Sequence, residues 1–189
     1  CNYHSLLMLS NTGLGKTHLS QAIGHTILAA NPQSRVFYMT AEDFTNEMIA
    51  SLRARRIEAF KSRYRRSCDV LLLEEVHFLG GKEKIQMELG YTLDALAQDR
   101  KKIIFTSSLP PKDIPQMSKE LSSRLTSGLV TTIGGPDYHT RVKILEEKAR
   151  AYRVSLSKDV VHFLAGRLKR DVRQMESALK CLKARSELV

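Results

Sequence analysis

The segment LSNTGLGKTH, from Leu9 to His18, is the feature that most constrains the fold of this chain. An apolar run precedes it and an amphipathic run follows it, which predicts a strand, a glycine-rich turn and a helix. Such a turn directs backbone N–H groups and the helix N-terminus at an anion. Its second half matches the pattern G-x-x-x-x-G-K-[ST], whereas Ser10 stands where that pattern begins with glycine. We therefore expect an α/β fold with a phosphate site.

The residues of this loop have separate predicted roles. Gly13 and Gly15 provide the backbone freedom that a tight turn needs. Lys16 can reach the outer phosphates of a nucleotide, and the Thr17 hydroxyl can bind Mg²⁺. Because the exit from a strand need not require a positive φ, we expect the loop to tolerate the small residue Ser10, with weakened affinity.

A second motif, VLLLEEV at Val70 to Val76, ends four apolar residues with two acids. This is the Walker B arrangement, in which the first acid holds Mg²⁺ through water and the second polarises the attacking water. The usual first acid is aspartate, and the extra methylene of Glu74 moves its carboxylate about 1.5 Å outward. The alternative interpretation is that Glu74 and Glu75 simply end a buried strand.

Short apolar runs alternate with longer amphipathic segments over the first two thirds of the chain. This alternation predicts a parallel sheet covered by helices on both faces. The strands are expected at Ser5–Leu9, Val36–Thr40, Val70–Val76, Lys102–Ser107 and Leu129–Ile133. The helices between them are expected at Lys16–Ala30, at Ala41–Arg66 with a break near Arg55, and at Lys82–Gln98.

The second of these helices has a predicted cap and a predicted apolar face. Thr40 followed by Asp43 three residues later is typical of a capping box. Helical spacing then places four apolar side chains on one face. These are Phe44, Met48, Ile49 and Leu52.

The pattern changes after Gly134-Gly135-Pro136, where three helices follow with no strand between them. They are expected at Asp137–Tyr152, Ser157–Leu168 and Asp171–Arg185. We therefore divide the chain into an α/β subdomain at 1–135 and a small three-helix lid at 136–189.

The net charge of +10 is concentrated in two segments. Arg53–Arg66 holds seven basic residues against one acid, and Arg167–Arg185 holds seven against two. Such clusters attract phosphate backbones or acidic partners, and the alternative is a solvated helix face.

The cysteines and apolar runs indicate a cytoplasmic protein without a membrane span. Cys1, Cys68 and Cys181 are odd in number and have no metal-binding spacing, which favours reduced thiols. No apolar run is long enough to cross a bilayer, and no signal peptide is recognisable. Since the chain opens directly into a strand, we expect a fragment that lacks its natural N-terminus.

Three further residues are candidates for sensing or completing a nucleotide site. Ser108 ends the apolar strand KIIFTSS, at the place where a γ-phosphate sensor would lie. Arg124 in SSRLTSG precedes the last strand, and Arg173 in RDVRQMESAL begins the last helix. Either arginine could equally be an ordinary surface residue.

Over essentially its whole length the chain resembles the AAA+ ATPase domain of the bacterial replication initiator family DnaA. The shared segments are GLGKTHL, IEAFKSRYR, DVLLLEEVHFLGGKE, TSSLPPKDIP, LSSRLTSGL, PDYHTRVKIL and DVRQMESAL. GKTHL alone also fits the DnaC and IstB helper ATPases. The helical insertion Ala41–Arg66 resembles the initiator-specific element and favours the DnaA family.

The resemblance implies a P-loop AAA+ fold with a five-stranded sheet that binds ATP or ADP and Mg²⁺. The residues implied to hold the phosphates are Asn11, Thr12, Gly13, Leu14, Gly15, Lys16, Thr17 and His18. It also implies that Thr17 and Glu74 bind Mg²⁺ and that Glu75 is the catalytic acid.

Other implied roles concern signalling between subunits and DNA. Ser108 falls at the sensor-1 position. Arg124 falls at the arginine finger that reaches the ATP of a neighbouring subunit, and Arg173 at the sensor-2 arginine of the same subunit. The residues implied to contact single-stranded DNA are Ile49, Arg53, Arg55 and Lys84.

The departures from the family pattern lie around the nucleotide. Ser10 and Asn11 replace glycines, Glu74 and Glu75 replace aspartates, and Ser108 replaces an aspartate. They predict a divergent DnaA-related protein with slow ATP hydrolysis.

Two functions stay open. One is an initiator that oligomerises on DNA with ATP; the other is an Hda-like adaptor or a helper ATPase acting through contacts with DnaA or a replicative helicase. Duplex binding would need a further domain.

Overall fold

The computed structural model describes residues 4–186, with Ser186 described by its backbone only. The chain divides into two compact units. The sheet unit contains residues up to Asn11 and Lys16–Thr132, and the helical unit contains Thr12–Gly15 and the residues from Ile133 onward. Cys1 lies outside the described residues.

The sheet unit is built on five parallel strands in the order β2-β3-β4-β1-β5. The strands are β1 Ser5–Leu9, β2 Val36–Thr40, β3 Val70–Glu74, β4 Lys102–Ser107 and β5 Leu129–Thr132. The predicted parallel five-stranded sheet is therefore confirmed. β3 ends earlier than expected, because the backbone turns into the left-handed region at Glu75 and a single helical turn, Val76–Leu79, follows.

Eight α-helices lie in the described part of the chain. They are α1 Lys16–Ala30, α2 Ala41–Arg53, α3 Ile57–Arg66, α4 Glu83–Gln98, α5 Lys119–Leu125, α6 Tyr138–Tyr152, α7 Lys158–Arg167 and α8 Val172–Ser186. The break between α2 and α3 is confirmed, and Arg55 there has a φ of 55°. The short helix α5, capped by Ser118, was not expected from the sequence.

The cap of α2 forms as predicted. Thr40 Oγ1 accepts the Asp43 N–H at 3.0 Å, and the Thr40 N–H donates to Asp43 Oδ2 at 3.1 Å. The apolar face of α2 is only half covered, because α3 packs its aromatic residues on the Phe44 end. Phe44 and Met48 are buried, whereas Ile49 and Leu52 are exposed.

Alternation along the strands distributes the core on the two faces of the sheet. Leu71 and Leu73 of β3 belong to a core shared with α2 to α5. Leu72 points to the other face, where α1 approaches so closely that a Cβ at Gly24 would lie 2.8 Å from Leu72 Cδ1. The expectation of a sheet covered on both faces holds for β3 and does not hold for β5, all of whose residues are exposed, whereas those of β2, the other edge strand, are mostly half-buried.

The helical unit has a core of its own. Asp137 and Ser157 cap the N-termini of α6 and α7. The buried apolar residues shared by α6, α7 and α8 are Leu145, Ala149, Val161, Ala165, Met175 and Leu179. Across residues 4–186, none of the helices has the length and apolar character to cross a membrane.

Candidate functional site

The Lys16 side chain lies over the carboxyl ends of β1 and β4. It is 7% exposed, and its Nζ donates to Ser10 O at 2.7 Å and to Asn11 O at 3.3 Å. It also lies 3.3 Å from Ser108 Oγ. Because β1 and β4 are parallel neighbours, their ends bring Ser10 and Ser108 to the same ammonium group. The structure thus brings together Lys16 and Ser108, which are 92 positions apart in the sequence.

Ser10, which replaces the first glycine of the motif, is buried without backbone strain. Its hydroxyl donates to Asn11 O at 3.0 Å, and its N–H donates to Ser107 O at 3.2 Å. Its φ is not among the positive values, whereas Gly13 and Gly15 have φ of 85° and 92°. The loop geometry therefore needs glycine at those two positions and accepts serine at the first.

Thr17 and Glu74 form the second part of the site. The Thr17 hydroxyl donates to Glu74 Oε2 at 2.8 Å, which links the first turn of α1 to the end of β3. Glu74 is 3% exposed, and its Oε1 has no hydrogen-bond partner among the described residues. A buried carboxylate oxygen without a partner is costly unless a cation or donor binds it. A hydroxyl beside a carboxylate is also the oxygen donor set that Mg²⁺ takes in nucleotide sites, so these residues fit the ion.

Glu75 and His77 follow the end of β3. Glu75 has a φ of 58°, and its N–H donates to Thr106 Oγ1 at 3.0 Å. His77 Nδ1 accepts the Ser108 N–H at 3.4 Å. Burial lowers the pKa of His77, nearby Lys16 lowers it further, and Glu75 opposes both. The sequence analysis did not predict that His77 contacts Ser108. The one indication in the sequence is that His77 follows shortly after Glu74 and Glu75.

Arg124 makes no described contact with Lys16, Thr17 or Glu74. It is in the last turn of α5, and its guanidinium binds Asp94 of α4 through Nε–Oδ1 at 2.7 Å and Nη2–Oδ2 at 2.9 Å. Arg124 lowers the pKa of Asp94. The structure therefore gives Arg124 a partner on its own chain, and its role as a finger stays a prediction.

Arg173 and the tip of the loop belong to the helical unit. Arg173 is exposed in the first turn of α8. Within this unit the Val172 N–H donates to Gly13 O at 3.0 Å, and Asp171 Oδ1 accepts the Gln174 N–H at 2.8 Å. The remaining loop residues Asn11, Thr12 and His18 are exposed. Their phosphate-binding roles and that of Leu14 stay predictions, as does the sensor role of Arg173.

The basic segment, defined as Arg53–Arg66, is divided by the structure into two sets. Three of its residues bind carboxylates, in the pairs Lys61–Glu58, Arg63–Glu47 and Arg65–Glu88. The other four are exposed and form no ion pair within residues 4–186, namely Arg53, Arg55, Arg56 and Arg66. The other predicted DNA contacts, Ile49 and Lys84, are exposed as well.

A glycine loop after β1, a buried lysine at the start of α1 and two acids at the end of β3 define the class of P-loop α/β domains. Residues 1–132 match the family model described as the bacterial DnaA ATPase domain. The chain belongs to this family and has the AAA+ fold of its members.

Individual relatives agree with this assignment. The chain is 47% identical to the chromosomal replication initiator protein DnaA of Desulfatibacillum aliphaticivorans over 97% of its own length and 40% of that protein. It therefore spans less than half of that relative. Domain III of the Thermotoga maritima replication initiation protein DnaA superposes with a TM-score of 0.93 at 32% identity, covering 99% of this chain and 78% of that one. A replication initiator DnaA bound to AMPPCP and single-stranded DNA superposes with a TM-score of 0.83 at 34% identity, covering 95% and 55%.

Proposed function

We propose that this domain binds ATP or ADP with Mg²⁺ and serves as the AAA+ ATPase unit of a protein that initiates chromosomal replication. The observation that carries the proposal is the cluster at the carboxyl ends of the strands, where the buried Lys16 binds Ser10 and the Thr17 hydroxyl binds the buried Glu74. The related DnaA structure bound to AMPPCP, an ATP analogue, supports nucleotide binding by this domain. Such a role would place the protein in the bacterial cytoplasm.

Each residue then has a chemical task. The loop N–H groups and Lys16 bind the phosphates, and Lys16 exchanges its hydrogen bonds with Ser10 and Asn11 for phosphate oxygens. Thr17 and Glu74 would hold Mg²⁺, which neutralises charge on the phosphates. Glu75 orients the attacking water.

Hydrolysis is proposed to be slow. Ser108 offers a hydroxyl where the family has a carboxylate, and its N–H is already bonded to His77. The bound nucleotide therefore acts mainly as a switch, and residues 136–189 act as the lid that responds to it.

Titration of ATP by calorimetry tests nucleotide binding. Lys16→Ala should reduce ATP affinity about a hundredfold, because it removes a charged donor from several phosphate oxygens. Lys119→Ala is the matched control, since it removes the same charge from an exposed position. Thermal unfolding of both variants separates loss of binding from loss of fold. Equal affinity in wild type and Lys16→Ala would contradict the proposal.

Assembly and action on single-stranded DNA form the second part of the proposal. Arg124 acts as a finger on the ATP of an adjoining copy, and Arg173 acts on nucleotide bound by its own chain. Arg124→Ala should leave ATP affinity of the monomer unchanged and abolish ATP-dependent oligomers. It should also remove assembly-stimulated hydrolysis, since a finger in trans is worth about 10³–10⁵ in rate. Arg173→Ala should weaken nucleotide binding even in the monomer.

Sedimentation of both variants with a non-hydrolysable ATP analogue measures these effects. Normal assembly by Arg124→Ala would instead favour the adaptor function, in which the domain contacts DnaA or a replicative helicase. The observation that favours this second candidate is the bond between Arg124 and Asp94, which gives the guanidinium a carboxylate partner on its own chain.

A further inference from the structure

Asp94 holds one edge of the Arg124 guanidinium. Both of its oxygens are used, Oδ1 by Nε and Oδ2 by Nη2, so the two planar groups are bonded side by side. This geometry fixes the direction of the guanidinium as well as its distance. The third nitrogen, Nη1, lies near Gly90 of α4, where an added Cβ would be 3.6 Å away. Arg124 is thus aligned along α4 by an acid and by a residue without a side chain.

The pair is open to solvent and therefore contributes little to folding. The side chains of Arg124 and Asp94 are 35% and 53% exposed. Exposed ion pairs are weak stabilisers, even with good geometry. What such a pair does provide is order, because a free arginine side chain samples many rotamers and loses that freedom when it is placed in an interface. A preordered arginine pays less of this entropy when a partner arrives.

The surroundings of Arg124 are suited to a partner. The arginine lines an open groove with a volume of about 660 Å³ on the α4 surface. Met87 and Tyr91, which line the same groove, are 59% and 53% exposed. Exposed apolar side chains next to a charged group are typical of surfaces that bind another protein.

We propose that Asp94 is a positioning residue that presents Arg124 to the nucleotide of an adjoining copy of this chain. The inference rests on the proposed function of Arg124 as a finger. It assigns to α4 a part in the contact between subunits. Through Arg124, Asp94 would affect the ATP bound by the neighbouring copy and not the ATP bound by its own chain.

The test compares Asp94→Ala and Asp94→Asn with wild type and with Arg124→Ala. Asp94→Ala should weaken ATP-dependent assembly by about three- to tenfold, the effect expected for one arginine that must be ordered anew. Asp94→Asn, which retains one acceptor for the guanidinium, should lose less. Asp99→Ala is the matched control, because Asp99 is an exposed carboxylate at the end of α4 that makes no described hydrogen bond to Arg124 and does not line the groove. Thermal unfolding and ATP affinity of the monomers should not change.

Mixing experiments show on which side of the contact Asp94 acts. Asp94→Ala mixed with Lys16→Ala should recover assembly-stimulated ATP hydrolysis, because the Lys16→Ala copy supplies an intact finger to the intact ATP site of the other. Asp94→Ala mixed with Arg124→Ala should not recover it, since both copies lack a placed finger. Recovery in that second mixture would overturn the inference.

The remaining outcomes are also decisive. Wild-type assembly by Asp94→Ala, with defective Arg124→Ala, would overturn the inference and leave the proposed function standing. Tighter assembly by Asp94→Ala would show that Asp94 restrains the arginine, which also overturns it. Normal assembly by Arg124→Ala would show that Arg124 is not a finger. The proposed role of Arg124 and the positioning role of Asp94 would then both be overturned.

Discussion

Lys16 and the basic segment carry positive charge in opposite ways. Lys16 is buried at the end of β1, where oxygens of the same unit surround its ammonium group. In Arg53–Arg66 the positive charge is on the surface, and four of the seven basic residues there have no ion pair within the described chain. The first region is organised before any ligand arrives, and the second is not.

The two regions show that buried and exposed charges depend on the fold to different degrees. A buried charge must be satisfied by its own chain or by a ligand, so the partners that its own chain supplies can be read from the structure. An exposed arginine is solvated by water and needs no partner in the protein. Its positive charge remains available to attract an anionic ligand. Within the basic segment, we therefore separate the arginines bound to carboxylates from the free ones, and the predictions below test that separation.

The largest expected effect is on stability, from Arg65→Ala. Arg65 binds Glu88 of α4, which is 8% exposed, and its guanidinium lies 6.0 Å from the centre of the Tyr91 ring. Its removal leaves a buried carboxylate unpaired and should cost about 2–3 kcal/mol in the free energy of unfolding. Arg66→Ala, which changes the next residue and one that has no ion pair within residues 4–186, should change this free energy by less than about 0.5 kcal/mol. Urea denaturation measures both free energies of unfolding. Equal losses in the two variants would show that arginines without an ion pair stabilise the fold as much as those with one.

A smaller effect is expected on DNA affinity. Arg55→Ala with Lys84→Ala should weaken binding of single-stranded DNA roughly tenfold at moderate salt and reduce the slope of log K against log[salt] by about 1.4, since each phosphate contact contributes about 0.7. The control is Lys112→Ala with Lys119→Ala, which removes the same charge from other exposed positions. If the two double variants bind alike, the free arginines only add to the general positive field.

A still smaller effect is expected for the carboxylate that binds Thr17. Glu74→Gln keeps the size of the side chain and removes a buried charge whose Oε1 has no described partner. It should raise the free energy of unfolding by about 1 kcal/mol in Mg²⁺-free buffer, because the uncompensated charge is gone. The same change should weaken binding of ATP with Mg²⁺. A destabilised Glu74→Gln protein would show that this carboxylate is satisfied within the fold.

The sequence predicted those features of the fold that depend on local patterns. Strand and helix positions follow from hydrophobic periodicity, and the α2 cap follows from Thr40 and Asp43 alone. The seven-residue helix α5 was missed, because so short a segment has too few turns to show a periodic pattern. The early end of β3 was missed because the apolar run continues through Val76 while the backbone turns at Glu75.

The candidate site was predictable to the extent that parallel strands bring their carboxyl ends together. The meeting of Lys16 with Ser108 and of Thr17 with Glu74 follows that rule. The pairing of Arg124 with Asp94 and the division of the basic segment were not predictable, because they depend on how neighbouring helices pack. No local signal in the sequence distinguishes Arg65 from Arg66.

The strand order has a consequence for how the chain reaches this structure. β1 is early in the sequence, yet its two partners in the sheet are β4 and β5, whose first residues are Lys102 and Leu129. During synthesis β2 and β3 can pair as soon as both have emerged, whereas β1 must wait until about a hundred further residues have been made. Contacts over such separations close slowly because of the entropy of the intervening chain. β1 is thus among the last strands of the sheet unit to be paired, and in a ribosome-bound chain that ends before β4 neither of its two partners among the described strands has yet been made.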